Sequence, residues 1–375
     1  MAGQATYRAE HVGSLLRPAE LVAARDAWKA GRLPADELHA IEDRCIRDAV
    51  AMQEALGYRS VTDGEFRRDS YLGDFVLALE GTELGPEGDQ AVYYTNPKTG
   101  ARGIPARKTL VTGRIRLPEG GITVSDFRFL KSVVETADPK VCIPGPPALH
   151  YTIGRAQISR DVYPDLDGFW DDVAVAYAGE LRQLADAGCT FVQVDETSIP
   201  KLGDANIQAN MASRGDDWRE LLAQYTRSMV RLVEDAPAGM TVALHHCRGN
   251  NRGMWQAETS YEPTAHALFD EIRADRYLLE YDTPRAGDFT PLRHVPKEPR
   301  VVLGLVSTKE RALEDADALK RRINEAGQYV DLERLSLSPQ CGFSPGYTGH
   351  PLTHDDQKRK LELIATVARD VWGTT

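Results

Sequence analysis

The chain has 375 residues, a net charge of −11, 42% hydrophobic and 27% charged residues. That length allows one large or two medium domains with an ample core, and the composition is ordinary for a globular protein. The negative charge argues against a nucleic-acid-binding surface, which needs a basic stripe. The N-terminal residues lack the apolar stretch of a signal peptide, and no apolar run approaches the roughly 18 residues of a membrane span. We therefore expect a cytoplasmic protein that binds neither nucleic acid nor membrane.

The cysteines are an odd number, scattered widely, and without the spacing of a disulfide scaffold. They are Cys45, Cys142, Cys189, Cys247 and Cys341. This usage is typical of a reducing cytoplasm, where cysteines are thiols or metal ligands.

Short β-branched runs alternate with amphipathic helical stretches along the chain. The predicted strands are Arg59–Thr62, Thr109–Ile115, Lys140–Ile143, Thr190–Val194, Thr241–Leu244, Tyr277–Glu280, Val301–Leu305 and Leu335–Ser338. The predicted helices are Ala35–Gly57, Asp167–Gly188, Asp216–Asp235 and Lys309–Gly327. Such alternation indicates a parallel sheet, and about eight strands without a linker predict a single (β/α)8 TIM barrel over residues 1–375.

One segment departs from this alternation. Residues 80–108 are rich in glycine and proline and contain YYTN, so they are predicted to form a long loop or hairpin insertion. Loops of that length are usually functional or mobile. This one could cover a site or mediate a homo-oligomer, and its composition favours neither.

Polar side chains follow the predicted strands at the point where each strand ends. They are Glu65, Asp195, Glu196, His245, His246, Cys247, Glu280, Asp282, Lys309 and Cys341. In a parallel barrel the carboxyl ends of the strands share one face, and that face carries the functional site. We therefore expect these side chains to lie around one site.

His245 and Cys247 form an HxC step, in which extended backbone points both side chains the same way. Imidazole and thiolate are ligands that zinc prefers, and Glu280 and Cys341 from later strand ends would complete a tetrahedron. Gly342, directly after Cys341, allows close approach. An isolated HxC step is more often a core pair, so the assignment depends on all four residues together and on the resemblance below.

Eight segments in order resemble the catalytic C-terminal barrel of cobalamin-independent methionine synthase and its small single-barrel relatives. They are HVGSLLRP, VTDGEFRRDS, PGPPALHY, FVQVDE, HHCRGN, LLEYD, GLVSTK and SPQCGF, between residues 11 and 344. The resemblance implies a methionine-synthase/uroporphyrinogen-decarboxylase-like barrel and a zinc-dependent thiol alkyltransferase. Its main substrate would be homocysteine, which is methylated to methionine. The implied Zn²⁺ ligands are His245, Cys247, Glu280 and Cys341.

The resemblance also assigns the amino-acid end of the thiol substrate. Val12, Gly13 and Ser14 would hold its carboxylate, and Glu65 and Asp195 would hold its ammonium. Two carboxylates suit an ammonium, while backbone donors and a hydroxyl suit a carboxylate. The alternative for the two acidic residues is capping of the loops and helices that follow them.

The methyl-donor half departs from the family pattern. Lys309 falls at or near the family's proton-donating histidine, where a lysine could donate a proton, bind an anionic group or cap a helix. Lys201 falls near the acidic residue that contacts the pterin, and His150 or Tyr151 near the stacking tryptophan. The donor is therefore left open among methyltetrahydrofolate, a corrinoid and other alkyl compounds.

Two alternatives remain, the first within the same superfamily and the second from a different class of protein. Epoxyalkane:coenzyme M transferase adds a sulfonated thiol to an epoxide from a similar barrel, and Arg67, Arg68 or Lys309 would suit that sulfonate. Glu65 and Asp195 favour an amino-acid thiol instead. A non-enzymatic zinc-binding module or a metal-free decarboxylase-like barrel is the second alternative. Structural zinc more often uses closely spaced CxxC pairs, which this chain lacks.

Overall fold

The computed structural model describes residues 6–85, 109–347 and 349–375. Its helices are α1 (Ala19–Lys29), α2 (Ala35–Ala55), α3 (Gly73–Ala78), α4 (Val124–Val133), α5 (Pro147–Ile153), α6 (Asp167–Asp186), α7 (Ala205–Ser213), α8 (Trp218–Glu234), α9 (Ala316–Ala326) and α10 (His354–Trp372). Its strands are β1 (Ser60–Val61), β2 (Glu80–Leu84), β3 (Thr109–Arg116), β4 (Asp138–Pro139), β5 (Val141–Pro144), β6 (Phe191–Asp195), β7 (Thr241–His246), β8 (Arg276–Glu280), β9 (Arg300–Val306) and β10 (Leu335–Pro339). Within these ranges, no helix combines the length and the apolar character needed to cross a membrane.

Strands β5 to β10 form a parallel six-stranded sheet in chain order. Strand β4, one residue before β5, pairs in parallel with β1. Beyond β10, Ala9 makes a parallel bridge to Leu337. Eight strand positions thus follow one another around the wall of a (β/α)8 barrel, which confirms the predicted fold class.

The wall has a seam between the Ala9 segment and β1, where no strand pairing is assigned within the described ranges. Two hydrogen bonds cross this region. The backbone N–H of Leu15 donates to the carbonyl of Gly64 at 3.0 Å, and the Thr62 hydroxyl donates to the carbonyl of Gly13 at 2.6 Å. They hold the segment after Ala9 against the loop that follows β1.

One strand was assigned to the wrong place by the sequence pattern. Thr109–Ile115 was predicted as a barrel strand, but β3 pairs antiparallel with β2 and lies outside the wall. The Ala9 segment takes the missing wall position, and its sequence YRAEHV lacks the β-branched run that marks the other strands. The predicted loop or hairpin at 80–108 lies largely outside the described residues, which include only β2 and Gly85 at its start.

The predicted helices match α2, α6 and α8 closely, but the helix predicted from Lys309 begins later. Strand β9 ends at Val306, and α9 starts at Ala316. Asp315 caps it, since its side chain accepts from the backbone N–H of Ala318 at 2.8 Å. Lys309 is therefore in the loop between the two elements and not in the helix.

The barrel interior is packed separately from the core between the sheet and the helices. Its apolar cluster consists of Tyr7, Val12, Phe191, Ala243, Leu278 and Val302. Residues two apart on a strand share one side, so His245 and Cys247 continue the inner face that Ala243 begins. Polar residues thus replace apolar ones toward the carboxyl ends of the strands.

Candidate metal and substrate site

A cleft of about 410 Å³ opens at the carboxyl ends of the barrel strands. Its lining is Val12, Ser14, Glu65, Tyr71, Asp195, Thr197, His245, Cys247, Gly249, Asn250, Cys341, Gly342 and Pro345. Seven of these were predicted site residues, although they come from both ends of the chain. The barrel brings them together because it places every strand's carboxyl end on one face.

The predicted metal ligands His245, Cys247 and Cys341 form one buried group, with ligand atoms all within 4.8 Å of one another. The Cys341 Sγ lies 3.7 Å from the Nε2 of His245. A tetrahedral zinc site with bonds of about 2.3 Å to sulfur and about 2.1 Å to nitrogen has an S···N edge of about 3.6 Å. The three residues therefore fit a zinc ion in both chemistry and spacing.

The thiols of Cys247 and Cys341 differ in how readily each loses its proton. Hydrogen bonding from Cys341, helped by the nearby His245, lowers the pKa of the Cys247 thiol well below its usual range. Burial raises the pKa of the Cys341 thiol. Cys247 is thus the residue of this group that is already disposed to be a thiolate, the form that binds metal.

Glu280, the predicted fourth ligand, lies at the end of β8 but outside this three-residue group. Its Oε1 accepts from Lys309 Nζ at 2.9 Å and from Arg285, and its Oε2 accepts from the backbone N–H of Arg248 at 2.5 Å. The Arg248 guanidinium lies 3.5 Å from the same Oε2. Burial alone would raise the pKa of Glu280, but these three cations outweigh it and lower the pKa.

Lys309 is buried beside two carboxylates. Its Nζ donates to Glu280 and lies 3.7 Å from the Oδ2 of Asp282. Burial alone would lower the pKa of Lys309, but the two acids outweigh it and raise the pKa, so the ammonium stays charged. The predicted replacement for the family's proton donor thus sits next to the predicted metal ligand Glu280.

Glu65 and Asp195, the predicted ammonium ligands, also line the cleft and are both buried. Glu65 Oε1 lies 3.1 Å from Arg68, while its Oε2 is buried without a hydrogen-bond partner among the described residues. Burial raises the pKa of Glu65 to about 7, and it also raises the pKa of Asp195. These two carboxylates carry less compensating positive charge than Glu280 does.

Glu65 is also held in an uncommon backbone conformation, with φ of +61°. The Arg17 guanidinium supports this turn because it donates to the carbonyls of Glu65 at 2.7 Å and Arg68 at 2.8 Å. The same group donates at 2.9 Å to the carbonyl of Ser344, in the loop after Cys341. One buried arginine therefore connects the loop that carries Glu65 with the loop that carries Cys341.

The segment Val12–Ser14 packs tightly into the site. Gly13 has φ of +113°, and a Cβ there would lie 2.5 Å from Cys142 Sγ and 2.9 Å from Glu65 Oε1. A Cβ on Gly342 would lie 2.0 Å from Ser14 Oγ, which confirms that the glycine after Cys341 permits close approach. Gly13 is needed because its φ is positive and the Cys142 and Glu65 side chains pack against it, and Gly342 is needed because Ser14 packs against it.

The residues predicted on the donor side form a separate buried cluster. The Nζ of Lys201 donates to Gln256 at 2.7 Å and to Thr197 at 3.3 Å, and it lies 4.3 Å from the centre of the Tyr151 ring. Burial lowers the pKa of Lys201 to about 8. His150 instead faces the Tyr225 hydroxyl at 3.0 Å.

Sequence reasoning missed the arginines that surround Glu280. Arg248 directly follows Cys247, so its position beside the HxC step was a usable signal. Arg285 lies in the turn after β8 and has no comparable motif. Two strand-end residues, in contrast, have structural roles: Glu196 accepts from the backbone N–H of Ser198 at 2.8 Å, and the carbonyl of Glu196 lies 2.7 Å from His246 Nδ1.

Comparison with known proteins adds independent findings. A family model described as the catalytic domain of cobalamin-independent synthase matches residues 8–349. The Bacillus subtilis protein YxjG, described as uncharacterized, is 39% identical over 98% of this chain and 95% of its own length. A crystal structure from Listeria monocytogenes, assigned as a vitamin-B12 independent methionine synthase, is 31% identical with a TM-score of 0.76, covering 98% of this chain and 99% of its own. The structure of a B12-independent methionine synthase from Shewanella sp. W3-18-1, in complex with selenomethionine, is 20% identical with a TM-score of 0.72 over 97% of both chains.

Proposed function

The chain belongs to the family of cobalamin-independent synthase catalytic domains, and on that premise we propose that it is a zinc-dependent methyltransferase that converts homocysteine to methionine. The observation that carries the proposal is the group of His245, Cys247 and Cys341 in the same cleft as two under-neutralised carboxylates. Soft ligands suit a thiol-binding metal, and carboxylates suit an ammonium. A thiol amino acid combines both requirements.

In the proposed reaction, the thiolate sulfur forms a bond to the methyl carbon while the bond from that carbon to the donor breaks. The electron pair of the broken bond leaves with the donor. Zinc, when bound, would keep the substrate sulfur as a thiolate near neutral pH. Glu65 and Asp195 would accept from the ammonium, while Val12–Ser14 would donate to the carboxylate. Fixing both ends of the amino acid orients its sulfur for attack.

Glu280 is proposed as the exchangeable fourth ligand, because a catalytic zinc site must offer one position to substrate. When its carboxylate does not bind the metal, it can stay bonded to Lys309, Arg285 and Arg248, which already contact it. When the thiol arrives, Glu280 would return to these cations. Lys309 would then remain charged at the site and could donate a proton to the departing donor.

The family and the relatives support methyl transfer more directly than they support a particular donor. The Shewanella protein was solved with selenomethionine, the selenium analogue of the proposed product, which favours an amino-acid substrate here as well. The donor side in this chain presents Lys201 and Tyr151. Methyltetrahydrofolate, a corrinoid and other methyl compounds are therefore all included in the test.

The test is a screen of methyl donors with zinc-loaded protein and homocysteine, in which methionine is detected by mass spectrometry. A parallel series replaces homocysteine with coenzyme M and an epoxyalkane. We expect methionine from at least one donor and no thioether from coenzyme M. Product only in the coenzyme M series would overturn the proposal in favour of the epoxide-opening transferase, and no zinc bound at all would favour a metal-free barrel.

A further inference from the structure

A buried amide lies directly beneath the proposed amino-acid site. We infer that Gln193, oriented by Lys140, is a positioning residue that presents Asp195 to the ammonium of the thiol substrate. The inference rests on the proposed function, and it concerns a residue that touches neither metal nor substrate. It is carried by a chain of hydrogen bonds inside the barrel.

The amide of Gln193 makes contacts on both sides and is fully buried. Its Nε2 donates to Asp195 Oδ1 at 2.8 Å and to the carbonyl of Val12 at 2.9 Å. Its Oε1 accepts from the Nζ of Lys140 at 3.0 Å. Gln193 and Asp195 are alternate residues of β6, so both face the barrel interior.

Lys140 decides which way this amide points. An ammonium group can only donate, so the amide oxygen must face Lys140 and the NH₂ group must face Asp195 and Val12. Lys140 itself is fixed, because it also donates to the carbonyl of His11 at 2.5 Å and lies 3.9 Å from Glu10 Oε2. Lys140 thus fixes the orientation of the Gln193 amide, because an ammonium group donates hydrogen bonds whichever way it rotates.

This orientation has a direct consequence for substrate binding. The amide NH₂ holds one oxygen of Asp195 and leaves the other for an ammonium in the cleft that Asp195 lines. A donor at this position also favours the ionised carboxylate, against the burial that raises its pKa. The second N–H of the same amide anchors Val12, so Asp195 is set relative to the segment proposed to hold the carboxylate.

A merely structural glutamine would predict a different pattern of losses on mutation. If Gln193 only filled the core, its replacement would weaken every ligand of the cleft alike. If it positions Asp195, the loss is larger for ligands that carry an ammonium than for those that do not. Homocysteine and 4-sulfanylbutanoate separate these cases, because they share thiol and carboxylate and differ in the amino group.

The experiment measures the affinity of the zinc-loaded protein for both thiols by calorimetry, in the wild type and in Gln193→Met. We expect the affinity for homocysteine to fall about tenfold, since a hydrogen bond to a charged group is lost, while the affinity for 4-sulfanylbutanoate falls by a smaller factor, because only the contact to Val12 affects the carboxylate end that both thiols share. Gln193→Asn is the second variant: it keeps a buried amide but is one methylene too short to span Lys140 and Asp195. It should show the same selective loss, and it decides the matter if Gln193→Met does not fold.

Adding Asp195→Asn completes the design. In that background, Gln193→Met or Gln193→Asn should cause no further loss, because the group it positions is gone. Equal losses for both thiols, or losses that add fully to that of Asp195→Asn, would overturn the inference alone. Failure of the wild type to bind homocysteine would instead overturn the proposed function, and the inference with it.

Discussion

Two buried glutamates on the same face of the barrel have opposite electrostatic surroundings. The Glu280 carboxylate is contacted by three cationic side chains, which lower its pKa. The Glu65 carboxylate has one arginine in contact, and burial raises its pKa to about 7. Glu280 ends a strand and Glu65 follows one, and both were predicted from the sequence as site residues.

This difference indicates which of the two carboxylates is suited to bind a positively charged ligand. A buried carboxylate that already has three cationic partners gains little from binding a further cation. A buried carboxylate with one unpartnered oxygen gains much from an incoming ammonium. The Glu65 side of the cleft therefore suits the proposed binding of a charged substrate group, whereas the Glu280 carboxylate already has its charge balanced by neighbouring side chains.

The largest expected effect comes from the cysteines of the proposed zinc site. Cys247→Ala removes one of the three clustered residues proposed to bind zinc, so we expect loss of both bound zinc and turnover, measured by metal analysis and product formation. Cys189→Ala is the matched control, since Cys189 is buried but does not belong to the group of His245, Cys247 and Cys341. Full zinc occupancy in Cys247→Ala would contradict the assignment.

Glu280→Gln tests the saturated side of the comparison. It leaves Arg248, Arg285 and Lys309 without their shared negative charge, so the free energy of unfolding should fall by about 3–5 kcal/mol. Urea denaturation measures this. Glu333→Gln is the control, because Glu333 pairs with Arg8 but is 82% exposed, and its loss should cost about 1 kcal/mol or less. Equal stability losses in the two variants would show that the buried network adds nothing.

Glu65→Gln tests the carboxylate whose negative charge is less well balanced by neighbouring cations. The variant keeps the shape of the side chain but loses its charge, so the KM for homocysteine should rise about 10- to 100-fold. Zinc content should stay at the wild-type level, because Glu65 does not belong to the group of His245, Cys247 and Cys341. A parallel fall in zinc content would place Glu65 with the metal ligands instead.

The smallest expected effect is a pH dependence that only the Glu65 side should show. Because the pKa of Glu65 is about 7 in the folded protein, its carboxylate ionises and homocysteine affinity increases as the pH rises through about 7. This folded pKa is above the unfolded one, so Glu65 contributes stability that is fully present below about 4.5 and is lost as the pH rises through about 7. Matching pH profiles of affinity in the wild type and Glu65→Gln would show that another group titrates.

Much of the fold followed from the sequence, for reasons that particular elements make clear. Strands β5 to β10 are short apolar runs between amphipathic helices, so local pattern is enough to find them. β3 was predicted as a barrel strand and the Ala9 segment was not. The prediction was wrong here because a segment belongs to the barrel wall only if its backbone pairs with a neighbouring wall strand. Local propensity cannot distinguish a barrel strand from one arm of an antiparallel pair.

The site divides in the same way. The HxC spacing of His245 and Cys247 fixes their common direction, and the strand-end position of Cys341 and Glu65 places them on the same face, so the sequence determined which residues gather. Only the tertiary structure decided how the charges are balanced. Arg248, Arg285 and Lys309 converge on Glu280, while one oxygen of Glu65 has no hydrogen-bond partner in the part of the chain that the structure describes. Charge balance in a buried site is a sum over side chains from distant segments, and it exists only once the barrel has brought them into contact.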